Sequence, residues 1–197
     1  MNSRIPCLLA ALSLVIAPFA NADEKLEPIF NGKDLSGWKV PENNIWWLVE
    51  DGVMQVRSGP KKTGNILWTE KEYGDFVIEL DFKFGKGTVD SGVHVRNQDQ
   101  IQIGISGSLK RDMTASPYIQ GKGYPVEAEG VADLLKMKGW NHMRIEARGM
   151  DYVCFLNGEK VMTYTSDTGI PKGPIGLQLH GGKEMEIDFK NIEIAEL

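Results

Sequence analysis

Phe76-Val77-Ile78-Glu79-Leu80-Asp81-Phe82-Lys83-Phe84 places large apolar side chains at every even position and mostly charged ones between them. Successive side chains of a β-strand point to opposite faces, so the run reads as a strand with one face in a core and the other in water. Gly85-Lys86-Gly87 then predicts a turn into Val89-Asp90-Ser91-Gly92-Val93-His94-Val95-Arg96. The two runs are expected either side by side and antiparallel or as consecutive strands of a sandwich.

The second run alternates differently. Val89, Ser91, Val93 and Val95 share one face, while Asp90, Gly92, His94 and Arg96 share the other. A solvated strand face usually carries Lys, Glu and Thr. Here it carries an acid, a bare backbone position, an imidazole and a guanidinium. The same mixture returns twice: Gln100 and Gln102 alternate with Ile101, Ile103 and Ile105, and Gly176, Gln178 and His180 alternate with Leu177 and Leu179. In one sheet these strands would form a platform of planar hydrogen-bonding groups, with glycines leaving room for a ligand. Dense hydroxyl recognition suits such a surface.

Working outward, short strands and turns recur along the whole chain. Trp46 to Val49 and Val53 to Val56 flank Glu50-Asp51-Gly52, and Tyr152 to Leu156 leads through Asn157-Gly158 into Val161 to Thr165; Asp-Gly and Asn-Gly pairs favour tight hairpins. Met185, Ile187 and Phe189 fall out of phase with Ile192 and Ile194, which predicts a β-bulge near Lys190-Asn191. Phe30 to Trp38 reads as a turn-rich clasp anchored by Phe30, Leu35 and Trp38. Residues 106 to 139 are irregular, and a long connection in a compact domain is often functional, so this segment is expected to wall the platform. About two turns of helix are expected over Val131 to Lys138. The pattern specifies an all-β fold, an antiparallel two-sheet sandwich or barrel.

The first residues differ from the rest. A basic start (Met1 to Arg4), an apolar run (Cys7 to Ala17) and Ala20-Asn21-Ala22 fit a secretory signal over residues 1–22, which leaves 23–197 as a single domain that is periplasmic or secreted. The apolar run is too short to span a bilayer, so no transmembrane segment is expected in the mature chain. The net charge of −5, one unit more negative once Arg4 leaves, excludes a duplex-binding surface; no nucleic acid partner is expected. Cys154 remains alone in an apolar strand and reads as core.

No P-loop, dinucleotide glycine fingerprint, nucleophile elbow or zinc spacing is present, and neither a metal nor a cofactor is expected. No two acids fall on the platform, so the paired carboxylates of an ordinary glycosidase are missing too. His142 alternates with charges and belongs to a solvated exterior.

Phe30 to Trp38, Tyr73-Gly74-Asp75-Phe76, Ser91 to Arg96, Trp140-Asn141, Leu156-Asn157-Gly158 and Gly176 to His180, in that order, resemble a bacterial family of exported proteins. These are the 3-keto-disaccharide hydrolases, described as 3-keto-glucoside lyases and 3-keto-2-hydroxy-glucal hydratases. The resemblance spans essentially the whole mature chain. It implies a concanavalin A-like jelly roll with a sugar-binding face, and a carbohydrate or 3-keto sugar as partner. It also implies cleavage by proton abstraction at C2 and elimination, with hydration of the product. Departures from the pattern fall at Asp90, where the family has Asn; at Gln100 to Ile105, where an acid is replaced by amides; and at Lys110, which replaces Tyr.

On that chemistry the expected base is His180 or His94, with the other as acid to the leaving oxygen. Arg96 would stabilise the oxyanion, and Asp90 would be the reserve base or would orient an imidazole. Gln100, Gln102, Gln178 and Lys110 would bind substrate. The rival readings are a non-catalytic lectin-like glycan-binding module and a purely structural or protein-binding sandwich. Oligomeric state is not legible.

Overall fold

The computed structural model describes residues 25–96 and 99–197; the expected signal segment lies outside them. In chain order the strands are β1 (Glu27–Pro28), β2 (Trp38–Lys39), β3 (Trp47–Glu50), β4 (Val53–Arg57), β5 (Asn65–Tyr73), β6 (Phe76–Gly87), β7 (Asp90–Val95), β8 (Asp99–Gly104) and β9 (Pro117–Tyr118), then α1 (Val131–Leu134), and then β10 (Asn141–Arg148), β11 (Asp151–Leu156), β12 (Glu159–Thr165), β13 (Gly173–Leu179) and β14 (Met185–Glu196). Among the described residues no helix is long and apolar enough to cross a membrane.

All pairings are antiparallel, and they build two sheets. One runs β12-β11-β10-β6-β14-β4-β3, with β1 added against β14; the other runs β2-β5-β13-β7-β8-β9. Phe76, Ile78, Leu80 and Phe82 of β6 enter the core, where they meet Leu67, Val93, Ile101, Ile175 and Leu177 of the second sheet. Burying each such side chain contributes about 1.5–3 kcal/mol, and a one-residue slip would carry the whole apolar set to the other face, so this shared core fixes which face of each strand points inward. Their alternation is the feature the sequence displays most plainly.

β6 and β7 are consecutive strands in different sheets, the second of the two arrangements expected for them. Gly85-Lys86-Gly87 is not the expected turn, since β6 continues through Gly87 and pairs it with Met185. Gly87 has φ +78°, and a Cβ there would lie 2.7 Å from the carbonyl carbon of Glu184. It is glycine because β14 passes too close for a side chain. The crossover between sheets falls on Thr88 and Val89.

Both hairpins form as the sequence indicates: Asp51 and Gly52 have φ 50° and 77°, and Asn157 and Gly158 have φ 51° and 93°. Two consecutive positive φ values match the twist of the flanking strands. The register of β14 on β6 shifts between Lys190 and Glu193, with Asn191 at φ 49°, which is the expected bulge. The two expected helical turns reduce to the four residues of α1, preceded by Gly130 at φ 70° with no side-chain cap. β11 alternates buried Tyr152, Cys154 and Leu156 with partly exposed Val153 and Phe155, so only one of its faces meets the core. Burial pushes the Cys154 thiol far above its ordinary pKa, consistent with packing rather than reactivity.

Candidate functional site

Every residue of β8 is buried, including its polar ones. One face meets the core, the other carries Gln100 and Gln102, and the irregular segment after the strand pairs along its edge. Residues 113–116 bond back onto β8: Met113 N–H to the Gly104 carbonyl, Ala115 N–H to the Gln102 carbonyl, and Gln102 N–H to the Ser116 carbonyl. Arg111 and Glu127 form a bidentate ion pair that closes the loop between them. The long connection therefore walls the sheet, and it does so by pairing with the backbone of β8.

The register sets the polar groups in rows across the sheet. Trp68 of β5 pairs with Gly176 of β13, Gly176 with His94 of β7, His94 with Gln100 of β8, and Gln100 with Tyr118 of β9. One step along, Gln178 pairs with Ile66, and Gly92 pairs with Gln102. The His180 N–H donates to the Asp90 carbonyl at 3.2 Å, which places those two residues side by side beyond the end of the amide rows.

A directed chain of amides connects the rows. Gln100 Nε2 reaches Gln178 Oε1, Gln102 Oε1 and the Ser91 carbonyl, each at 3.1 Å, and Gln102 Nε2 donates to Asp90 Oδ1 at 2.9 Å. An amide nitrogen has two hydrogens, so the three acceptors of Gln100 share them. The Gln100 side chain lies across Gly92, where a Cβ would stand 2.7 Å from its Cδ. The room expected for a ligand at Gly92 is filled by this amide. Among the described residues, Gln178 Nε2 and Asp90 Oδ2 make no hydrogen bond.

Asp90 is the centre of this arrangement. It is 4% exposed, and its Oδ2 is buried without a hydrogen bond among the described residues. A buried carboxylate oxygen left unpaired carries a desolvation cost of about 1–3 kcal/mol or more, so such an atom marks a place where a ligand is expected. Asp90 Oδ2 lies 3.9 Å from His180 Nδ1. That nitrogen is 2.8 Å from the Gly181 carbonyl, which only accepts, so Nδ1 carries a hydrogen and Nε2 is left for chemistry.

These groups line a cavity of about 350 Å³ together with Ser106, Lys110, Tyr118, Tyr124 and Lys183. The rings of Tyr118 and Tyr124 meet edge to face at 5.2 Å. Burial pushes the Tyr124 hydroxyl up to about 12, so it stays protonated and can donate. Lys110, held at φ 59° in the tight turn after Ser106, brings one positive charge to the rim, and Lys183 brings a second. Tyr118, Tyr124, Ser106 and Lys183 went unnoticed in the sequence because nothing in their local pattern places them against β8.

Arg96 requires a correction. It lies one residue past β7, at the end opposite Asp90, has φ 55°, is fully buried and does not line the cavity that holds Asp90. Its guanidinium donates to the carbonyls of Gly74 (2.7 Å), Ala147 (3.1 Å) and Gly149 and to Asp75 Oδ1 (3.0 Å). The left-handed residue breaks the strand alternation, so the side chain turns into the protein and ties β10 to the β5–β6 connection instead of facing a sugar.

His94 also stands apart. It occupies the platform row but does not line the cavity; its ring packs on Trp68 at 5.1 Å between centroids. Both ring nitrogens are buried without a hydrogen bond among the described residues, and burial lowers its pKa to about 4. His142 lies on the far sheet, 3.0 Å from Asp81, as its alternation with charges indicated.

Comparisons with known proteins extend this description. Crystal structures of two proteins from Parabacteroides distasonis ATCC 8503, each named a "putative glycosyl hydrolase", share 23% and 27% identity with this chain, with TM-scores of 0.67 and 0.63. They cover 89% and 88% of it, and 95% and 100% of their own lengths are matched. A Bacillus subtilis protein with a galectin-like fold matches 87% of this chain and 94% of its own at 11% identity and a TM-score of 0.57, a likeness of fold. The two-sheet antiparallel architecture is thus a jelly roll of the concanavalin A and galectin type. No curated protein matches the chain. The sequence profile of one family matches residues 25–195, nearly all that the structure describes, and the chain belongs to that family, the 3-keto-alpha-glucoside-1,2-lyase-like domains.

Proposed function

We propose that this protein is an exported lyase that cleaves 3-keto-glycosides, with Asp90 as the base and His180 as the acid. The observation that carries the reading is the buried Oδ2 of Asp90 at the cavity, which makes no hydrogen bond among the described residues and lies 3.9 Å from His180 Nδ1. A carbonyl at C3 of a sugar acidifies the C2 hydrogen. A poorly solvated carboxylate is suited to take that proton, because it loses little hydration when it reacts.

The electron pair of the C2–H bond becomes an enolate across C2 and C3. As the C3 carbonyl re-forms, C1=C2 is made and the C1–O bond breaks, its electrons passing to the glycosidic oxygen. That oxygen takes a proton from His180 Nε2. Lys110 and Lys183 supply positive charge for the C3 oxyanion, the part expected of Arg96. Gln178 Nε2 and the Tyr124 hydroxyl are donors for sugar hydroxyls. His94 takes no part, since, unlike Asp90, it does not line the cavity. The products are a 3-keto-2-hydroxy-glucal and the free alcohol; addition of water to that glucal would use the same pair in reverse.

A 3-keto-disaccharide deuterated at C2 tests this. Wild type is expected to lose the label and release the second sugar. Asp90→Asn should lower both by at least about 100-fold, the usual span for a positioned general base. His180→Ala should lower release more than label loss, and His94→Leu should stay within about threefold of wild type. Binding of unoxidised saccharides with no turnover of any 3-keto sugar would instead establish the lectin-like module.

A further inference from the structure

Beside the polar cavity lies a second depression of about 480 Å³, lined by Gly64, Asn65, Ile66, Trp68 and Leu179. Gln178, His180 and Gly181 line both, so the two spaces adjoin. Their characters differ. The first is lined by amides, an acid, hydroxyls and lysines; the second offers an indole and an aliphatic side chain. Asn65, its one polar side chain besides the shared residues, already accepts the Trp47 Nε1 hydrogen at 2.8 Å.

The indole of Trp68 is held in place. A Cβ on Gly176 would sit 2.5 Å from its Cζ3 and 2.6 Å from its Cε3, so the ring lies against bare backbone that only glycine provides. His94 packs on it from β7, across the bare Gly176 of the intervening β13, and both its ring nitrogens are enclosed. A surface fixed before binding loses no side-chain freedom when a ligand arrives. His180 stands at the junction of the two spaces, and Trp68 on β5 is two strand spacings, about 10 Å, from the strand of Asp90.

We infer that this groove is a second subsite, which holds the leaving-group half of the glycoside by stacking a ring with an apolar face on Trp68. The inference rests on the reading of the polar cavity as the sugar site, though not on the elimination. Stacking on an indole requires a flat apolar face and no particular pattern of hydroxyls. The subsite therefore selects for a ring at the leaving group and tolerates differences among rings, whether a second pyranose or an aryl group.

The test measures binding separately from chemistry. Asp90→Asn protein, which keeps the carboxamide oxygen for Gln102, is titrated calorimetrically with a 3-keto-disaccharide, phenyl 3-keto-glucoside and methyl 3-keto-glucoside, with and without Trp68→Ala. The ring-bearing ligands are expected to bind at least tenfold tighter than the methyl glycoside. Trp68→Ala should abolish that advantage while leaving methyl glycoside affinity within about twofold, and Trp68→Phe should keep most of it. A gain for the disaccharide alone identifies a glycosyl occupant, and a gain for the phenyl glucoside alone an aryl one; both support the subsite. The inference is overturned if wild-type Trp68 gives no preference for a ring, if the preference survives Trp68→Ala, or if Trp68→Ala weakens all three ligands equally with an unchanged Tm. Wild type that fails to exchange C2 deuterium would remove the elimination and leave these affinity ratios readable.

Discussion

His94 sits under Trp68 with both ring nitrogens buried, and its pKa of about 4 is set by loss of hydration. In the unfolded chain the same imidazole protonates near 6.5. Between these values the unfolded state binds a proton that the folded state refuses, so stability is fully present above about pH 6.5 and falls as the pH drops toward 4. With those two values, linkage gives a loss of about 2 kcal/mol at pH 5 and about 3 kcal/mol at pH 4 relative to pH 7.5. His94→Leu fills similar volume and cannot titrate. Urea unfolding of both proteins at pH 7.5, 6, 5 and 4.5 isolates the effect as the difference between them, because the carboxylates that titrate in the same range are common to both. The difference should shift in favour of the Leu protein by about 2 kcal/mol on going from pH 7.5 to 5. Parallel pH profiles would refute the burial argument and return His94 to the set of proton-transfer candidates.

Arg96→Met should cost about 3–5 kcal/mol in urea unfolding, because the carbonyls of Gly74, Ala147, Gly149 and Ile170 lose the buried donor that satisfies them, at about 1–3 kcal/mol for each that stays unsatisfied; a loss under about 1 kcal/mol, or lost activity at unchanged stability, would contradict the bracing role. Gly92→Ala should displace the Gln100 amide and cost about 2 kcal/mol for its two hydrogens' worth of bonds. That variant should also weaken sugar binding, and wild-type affinity for a 3-keto-disaccharide would show that the amide chain is not needed. Secreted protein should begin at Asp23 by intact mass, whereas mature material retaining Met1 to Ala22 would refute the signal assignment.

Much of the fold was written in local pattern. The alternation of Phe76 to Phe84 names its own core face, and Asp51-Gly52 and Asn157-Gly158 name their hairpins, because side-chain direction and turn geometry depend on adjacent residues alone. The same alternation grouped Asp90, Gln100, Gln102, Gln178 and His180, since a single register of β7, β8 and β13 suffices to bring their polar faces together. Where the backbone left the strand, the pattern misled: Arg96 follows β7 in a left-handed conformation, and its side chain answers to carbonyls from residues 74 to 149. Which polar group is spent and which is left over was decided only in three dimensions. Gln100 is consumed by its neighbours, His94 is sealed beneath Trp68, and Asp90 keeps one oxygen free, distinctions that depend on distances of a few ångströms between strands far apart in the chain. Tyr118, Tyr124 and Lys183 reach the cavity through a long connection and the β13–β14 turn, whose paths follow from how they pack against the sheet and from no periodicity of their own.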